Sequence, residues 1–378
     1  MDKTYKIAVV GLGGRGQGLI RGAILPACED YGVEIAAVYD PYVDRTEKGA
    51  EIVQEITGKE PMKAKNYQEI LDNPEIVGVI ISSAWEAHIP QAIAAMKAGK
   101  YAAMEVGGAY SLEDCWKLVE TSEETGIPCM LMENCCYGER EMMVMNMVRQ
   151  GVLGNIVHCQ GGYHHDLRHE IAFGKENRHY RLRNYTNRNC ENYPTHELGP
   201  IAKLLDINNG NRMVSLTATA SCAKGLHEYI VKEKGEDDPL ASVEFAQGDI
   251  VTTVIKCAKG QTITLVLDTT LPRAYSRGFT VRGTKGSYYE DMNMVFIDGD
   301  KCEYSAYYKM LFECGAVRSG SWILADNILW YGKVVEQPVK GDKQTPAIVE
   351  FNRMVSEDER VENVILPLRD GINLIRVK

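Results

Sequence analysis

The sequence predicts an α/β fold: a doubly wound parallel sheet at the N-terminus, then an α+β domain built on an open, mainly antiparallel sheet. Three observations carry this. Residues 1–134 alternate apolar runs with amphipathic segments, the pattern of successive βαβ units. After about Gly154, strand-like runs follow one another without helices between them, which favours antiparallel pairing. A chain of 378 residues, 45% hydrophobic and 25% charged, suffices for two cores.

In the first domain the expected strands are Lys6–Val10, Val33–Tyr39, Val77–Ser82, Tyr101–Val106 and Pro128–Glu133, with helical patterns such as His88–Ala98 and Leu112–Thr125 between them. The first strand runs into Gly11-Leu-Gly13-Gly14-Arg15-Gly16. A GxGxxG turn supplies tight geometry, close backbone approach to a pyrophosphate and close helix–strand packing. The following helix offers free N–H groups and the positive end of its dipole. The second strand ends on Asp40; a carboxylate there accepts hydrogen bonds from a ribose diol and repels a 2′-phosphate. The strand, glycine turn, helix and acid together predict a Rossmann domain over residues 1–135, with NAD favoured as cofactor. Arg45 nearby keeps NADP open, and Arg15 is expected beside the pyrophosphate. Ligands sit at the carboxyl ends of such strands. Those ends carry Trp85 and His88, then Glu105 in the loop running to Gly108, then Asn134; all four named side chains are candidate cofactor contacts.

The second domain is expected over 136–378. It opens on a helix, Glu139–Leu153, whose methionines read as core filler. Strands follow at Ile156–Tyr163, Val214–Ser221, Ile250–Cys257, Thr262–Thr269 and Gly278–Arg282, with hairpin turns at Ala258–Gln261 and Gly283–Gly286. A polar stretch rich in His and Arg, Tyr163–Asn192, reads as a long irregular segment, and a helix is expected at Pro194–Leu205. Long irregular segments inside compact domains are usually functional.

Composition narrows the partners. A net charge of −10 leaves no basic surplus for nucleic acid. No apolar run reaches membrane-spanning length, and the N-terminus lacks the apolar core of a secretion signal, so a cytoplasmic protein is expected. Eleven cysteines without regular spacing read as free thiols, Cys135 and Cys136 included. No metal site is expected: no Cys/His cluster has ligand spacing, and His164, His165 and His169 read as solvated. An open sheet face leaves room for a homo-oligomer.

The GLGGRG turn, the Trp85/His88 cluster and the EVGG loop resemble the Gfo/Idh/MocA oxidoreductases. MENCCYGER (132–140) and NYPTHELGPIAKLLDINNGN (192–211) are more specific; they resemble glycoside hydrolase family 109, the NAD-dependent α-N-acetylgalactosaminidases, over roughly residues 5–310. Three departures stand out. Sugar dehydrogenases of the wider superfamily carry Glu-Lys-Pro where this chain has Glu105-Val106-Gly107, and loss of that lysine fits the glycosidase branch. Glu197 follows the YPTH histidine where the best-known family members have Gly. Residues 313–378 do not follow the family pattern.

The resemblance implies a small-molecule or glycan substrate and an unusual route. Most glycosidases need two carboxylates flanking the bond; NAD-dependent families are an exception. Hydride leaves the sugar C3, the resulting ketone acidifies C2, the aglycone is eliminated, water adds, and hydride returns. The route asks for a base at the C3 hydroxyl, a base at C2 and anchors for the other hydroxyls. Tyr193 and His196, three residues apart behind Pro194, are expected on one helical face, with His196 moving the C3 hydroxyl proton. Tyr137 matches the family tyrosine proposed at C2. Glu105, Arg181 and Tyr275 match substrate contacts, with Arg183 the rival of Arg181. Two other functions compete: a net sugar dehydrogenase that accumulates NADH, and a non-catalytic NAD- or sugar-responsive regulator. The tyrosine and histidine candidates favour catalysis over regulation, and the absent lysine favours the glycosidase over the dehydrogenase.

Overall fold

The computed structural model describes residues 4–107, 109–297, 299–337 and 339–378; Gly108 of the EVGG loop lies outside them. The chain forms two compact units. The first is Met1–Glu133 with Phe173–Asn184, the second Asn134–Ala172 with Tyr185–Lys378.

The first unit is built on six strands: β1 (Tyr5–Val10), β2 (Val33–Tyr39), β3 (Met62–Lys63), β4 (Ile76–Ile81), β5 (Tyr101–Met104) and β6 (Cys129–Leu131). Their order is β3-β2-β1-β4-β5-β6, and every pairing is parallel. Helices α1 (Gly14–Leu19), α2 (Leu25–Tyr31), α3 (Val43–Thr57), α4 (Tyr67–Asp72), α5 (Trp85–Lys97) and α6 (Leu112–Thr125) connect them. Side chains alternate across a strand, and β1 shows it. Val9 enters one core with Leu12, Ile20, Val38 and Val53. Ala8 and Val10 enter another with Ile81, Ile89, Met96 and Met104. Burying each large aliphatic side chain contributes roughly 1.5–3 kcal/mol. Helix ends follow local rules: Ser111 caps α6 by accepting the Asp114 N–H at 3.1 Å, and Gly126 ends it at φ 68°. The strand order reverses direction between β1 and β4, so their carboxyl ends open the crevice where such sheets bind ligands.

The second unit holds a seven-stranded sheet of β7 (Ile156–His164), β8 (Met213–Ala220), β9 (Ile250–Cys257), β10 (Thr262–Asp268), β11 (Thr280–Gly283), β12 (Gly286–Tyr289) and β13 (Met294–Ile297). The order is β13-β12-β11-β7-β10-β9-β8. β7 and β10 run parallel; the other neighbours are antiparallel, the mainly antiparallel sheet the pattern predicts. Helix α7 (Glu139–Arg149) covers it with Val144 and Met147, both fully buried against Cys159, Ile263, Leu265 and Val281. The segment 163–192 departs from expectation. It is not one irregular loop, since it forms α8 (Arg168–Ala172) in this unit and α9 (Arg181–Asn187), whose residues 181–184 belong to the first unit. Its many polar residues masked the short buried faces, such as Ile171 and Ala172 at 0% exposure. Helices α10 (Thr195–Leu204) and α11 (Gly225–Lys234) follow.

The chain ends in α12 (Tyr304–Glu313), β14 (Trp322–Asp326), α13 (Gln344–Glu357), β15 (Val361–Leu366) and β16 (Ile372–Val377). These three strands form a separate sheet in the order β14-β16-β15. Its core includes Tyr308, Ile328, Ile348, Phe351 and Ile375.

Candidate active site

In the first unit the glycine turn is shaped by what surrounds it. Gly11 has φ +86°, and a Cβ there would fall 2.3 Å from the Ser83 nitrogen; a Cβ on Gly16 would fall 2.0 Å from the Gly11 oxygen. Both positions therefore exclude a side chain. Gly14 faces open space, and the nearest atom beyond Gly13 is Arg45 Nη1 at 3.5 Å. Asp40 is buried. One carboxylate oxygen accepts the Leu12 N–H at 2.7 Å, the other the Tyr42 N–H at 2.9 Å. The acid at the end of β2 thus braces the glycine turn itself, and each oxygen keeps further acceptor capacity.

Arg15 does not stand alone at the loop. Its Nε donates to Glu105 at 2.7 Å and its Nη2 lies 2.6 Å from the same oxygen, while the other Glu105 oxygen accepts the Val106 N–H at 3.0 Å. Trp85 is buried, with Tyr180 at a ring distance of 4.8 Å and the Arg181 guanidinium 4.9 Å over its ring. Gly107, at φ +86°, has no room for a Cβ because the Trp85 indole nitrogen would lie 2.1 Å away. Of the rival arginines, Arg181 is buried over Trp85, while Arg183 pairs with Glu86 on α5. His88 is 1% exposed, and its Nε2 lies 2.8 Å from the Ser83 carbonyl. Desolvation lowers its pKa, so the imidazole is a neutral brace of the β4–α5 turn, facing inward.

In the second unit the YPTH segment gathers a group of aromatic rings. Pro194 caps α10 and Thr195 opens it, so Tyr193 precedes the helix instead of sharing a face of it. Even so, the Tyr193 and His196 rings are 4.9 Å apart and near perpendicular. Tyr163, near the end of β7, joins both, at 4.4 Å from Tyr193 and 5.6 Å from His196. Its hydroxyl lies 2.9 Å from His165 Nδ1, and His165 in turn meets Tyr275 at 5.1 Å. Desolvation pushes the Tyr275 hydroxyl up to about 12, so it is a proton-bearing donor at neutral pH. Tyr137, at the end of the 3-10 turn Asn134–Tyr137, is exposed, with the Lys203 ammonium 4.2 Å over its ring. The Asn134 amide nitrogen lies 3.7 Å from Cys135 Sγ. Cys135 is buried and Cys136 partly so.

Sequence reading missed Tyr163 and His165. His165 is not simply solvated, because it is wedged between two tyrosines. The available signal was the Tyr-x-His spacing at a strand end, where alternate residues share a face.

Fold and glycine turn define the class: residues 5–133 match the model described as oxidoreductase family, NAD-binding Rossmann fold. The fold is shared with an inositol dehydrogenase homologue from Azotobacter vinelandii, solved with NADH and myo-inositol. The TM-score is 0.59 at 16% identity, covering 79% of this chain and 74% of that one. Residues 137–311 match the C-terminal domain of glycosyl hydrolase 109. A glycosyl hydrolase family 109 protein of Parabacteroides distasonis is 45% identical over 62% of this chain and 55% of its own length. An α-N-acetylgalactosaminidase of Tannerella forsythia is 38% identical over 79% of this chain and 68% of its own length. The chain belongs to glycoside hydrolase family 109. It spans little more than half the length of the first of these relatives and about two thirds of the second. Residues 280–378 match an O-methyltransferase model, so the end of the chain, where the family pattern lapses, resembles a different family.

Proposed function

We propose that this chain is a glycosidase acting on α-N-acetylgalactosaminides, with a nicotinamide dinucleotide that is regenerated in each turnover. The observation that carries the reading is the Tyr193–His196 ring pair, 4.9 Å apart, inside the segment that matches the family's C-terminal domain. The name and 38% identity of the Tannerella relative support the sugar.

The glycine turn fits a dinucleotide. Gly11 and Gly16 are forced by their contacts, while Gly14 leaves space beside the loop. Gly11, Gly13, Gly14, Gly16 and Asp40 would hold the cofactor, and the acid favours NAD. When bound, the nicotinamide supplies a reversible hydride acceptor for a sugar carbon. His196 takes the proton of the C3 hydroxyl as that carbon is oxidised and returns it on reduction. Tyr137 takes the C2 proton made acidic by the neighbouring ketone. Tyr275 and Tyr193 donate hydrogen bonds to hydroxyls. Glu105 and Arg181 remain sugar contacts by motif alone; within the first unit they are held by Arg15 and Trp85.

The test is release of p-nitrophenol from the aryl α-N-acetylgalactosaminide by purified protein with no added NAD. Release without NADH accumulation is the expected result. Stoichiometric NADH on a free sugar without bond cleavage would identify a dehydrogenase instead. Dinucleotide binding with neither reaction across a sugar panel would leave a regulator.

A further inference from the structure

One largely buried arginine in the second unit serves three carboxylates, two of them buried. Arg277 Nη1 is 2.5 Å from Glu141, its Nε 3.4 Å from Glu197 and its Nη2 3.1 Å from Glu290. Its side chain is 14% exposed, and the carboxylates range from 0 to 11%. Glu290 is fixed from its other oxygen, which accepts the Phe279 N–H at 3.0 Å. A guanidinium has five donors in a planar fork and serves several carboxylates at fixed angles, which an ammonium cannot do.

What this arginine ties together is specific. Glu141 lies in the first turn of α7, four residues past Tyr137. Glu197 directly follows His196 on α10. Arg277 itself is two residues past Tyr275. One side chain therefore joins the segments that carry Tyr137, His196 and Tyr275.

Glu197 is also accommodated by its neighbour. A Cβ on Gly161 of β7 would fall 2.7 Å from both Cβ and Cγ of Glu197, so a glycine in the strand makes room for the acid. The residue that departs from the familiar YPTH-Gly motif is thus fully buried, charge-paired and given its own space.

We propose that Arg277 and Glu197 are positioning residues: the arginine clamps the three segments in register, and Glu197 fixes the entry of α10 and with it the His196 ring. This rests on the glycosidase reading for its kinetic consequences, but not for its structural readout.

The experiment compares Glu197→Gln, Arg277→Lys and their combination by steady-state kinetics on the aryl α-N-acetylgalactosaminide, thermal melting, and NMR of the histidine Cε1–H signals. The His196 signal is assigned with His196→Ala. In Glu197→Gln, kcat falls about 10- to 100-fold, as expected for a displaced reacting group, with KM within about twofold. The His196 signal, single and sharp in the parent, broadens or doubles. The double variant costs less than the product of the single effects, because both act through one contact. Unchanged kcat with only a lower melting temperature overturns the proposal.

A repacked variant separates charge from volume. Glu197→Gly with Gly161→Ala trades the acid for a methyl group across the same contact. Activity that stays low supports positioning by the ion pair, and recovered activity overturns it. If the parent protein cleaves no aryl glycoside, the function reading fails on its own. The His196 signal then decides: an unaltered signal in Glu197→Gln rejects the clamp.

Discussion

At position 196 a half-buried imidazole stands with Tyr193 and Tyr163 against it. Replacing His196 by Ala removes the proposed proton carrier while leaving the glycine turn of the first unit untouched. Turnover is expected to fall by about 10²–10⁴-fold, the usual range for a general acid–base group, with dinucleotide still bound at parent stoichiometry by absorbance. Near-normal turnover would remove His196 from the mechanism. Asp40 makes the complementary case. Asp40→Ala leaves the Leu12 and Tyr42 N–H groups without their acceptor, a loss of about 1–3 kcal/mol, and should release dinucleotide while lowering the melting temperature.

Glu191, two residues before Tyr193, gives a pH prediction. Burial pushes its carboxyl up from 4.5 to about 7, against the opposing hydrogen bond from the Tyr193 N–H. At low pH the group is protonated in both states and costs nothing. As pH rises past 4.5 the unfolded chain gives up the proton while the folded chain keeps it until about 7. Stability from this group is therefore lost across that window and stays level above it. Melting temperature followed from acid to neutral pH should fall more steeply in the parent than in Glu191→Gln; parallel curves would contradict the assignment.

Motif spacing picked out Tyr193 and His196, whose rings meet, and the glycine turn, in which Gly11 and Gly16 exclude a side chain. Side-chain direction was not legible in the sequence. His88 follows a strand end as a cofactor contact would, yet its ring turns inward to Ser83. Arg15 precedes Gly16 as a phosphate contact would, yet it pairs with Glu105, ninety residues away. A partner ninety residues away leaves no local trace in the chain.

Among the elements, the parallel sheet was readable where its strands are apolar runs separated by amphipathic helices; the two-residue β3 (Met62–Lys63) was not expected. The β1–α1 turn tests how tightly that sheet is joined. Gly16→Ala would place a methyl 2.0 Å from the Gly11 carbonyl oxygen. Overpacking of that kind costs roughly 1–3 kcal/mol, and dinucleotide retention should fall with it. A variant that melts and binds as the parent does would show that the turn has slack. The C-terminal sheet was not readable, because the segment leaves the family pattern and its strands carry polar residues such as Glu362, Asn363 and Asn373 among the apolar ones. Its match to an O-methyltransferase does not bring the usual nucleotide cradle. The central strand β16 runs antiparallel to both neighbours, whereas nucleotide-type ligands sit at the carboxyl ends of adjacent parallel strands. We expect no binding of S-adenosylmethionine by calorimetry; measurable affinity would assign this end a function of its own.

For the molecule as a whole, a net charge of −10 suits a neutral ligand better than a polyanion, and among the described residues no helix is long and apolar enough to cross a membrane. A dinucleotide-binding domain and a glycosidase-family domain in one chain make sense together if oxidation is transient. That is the central claim, and it leaves an isotopic trace. With the aryl α-N-acetylgalactosaminide in heavy water and no added dinucleotide, the released sugar should carry one solvent-derived deuterium at C2 by mass spectrometry. Release of a sugar with only its original hydrogen at C2 would contradict the account.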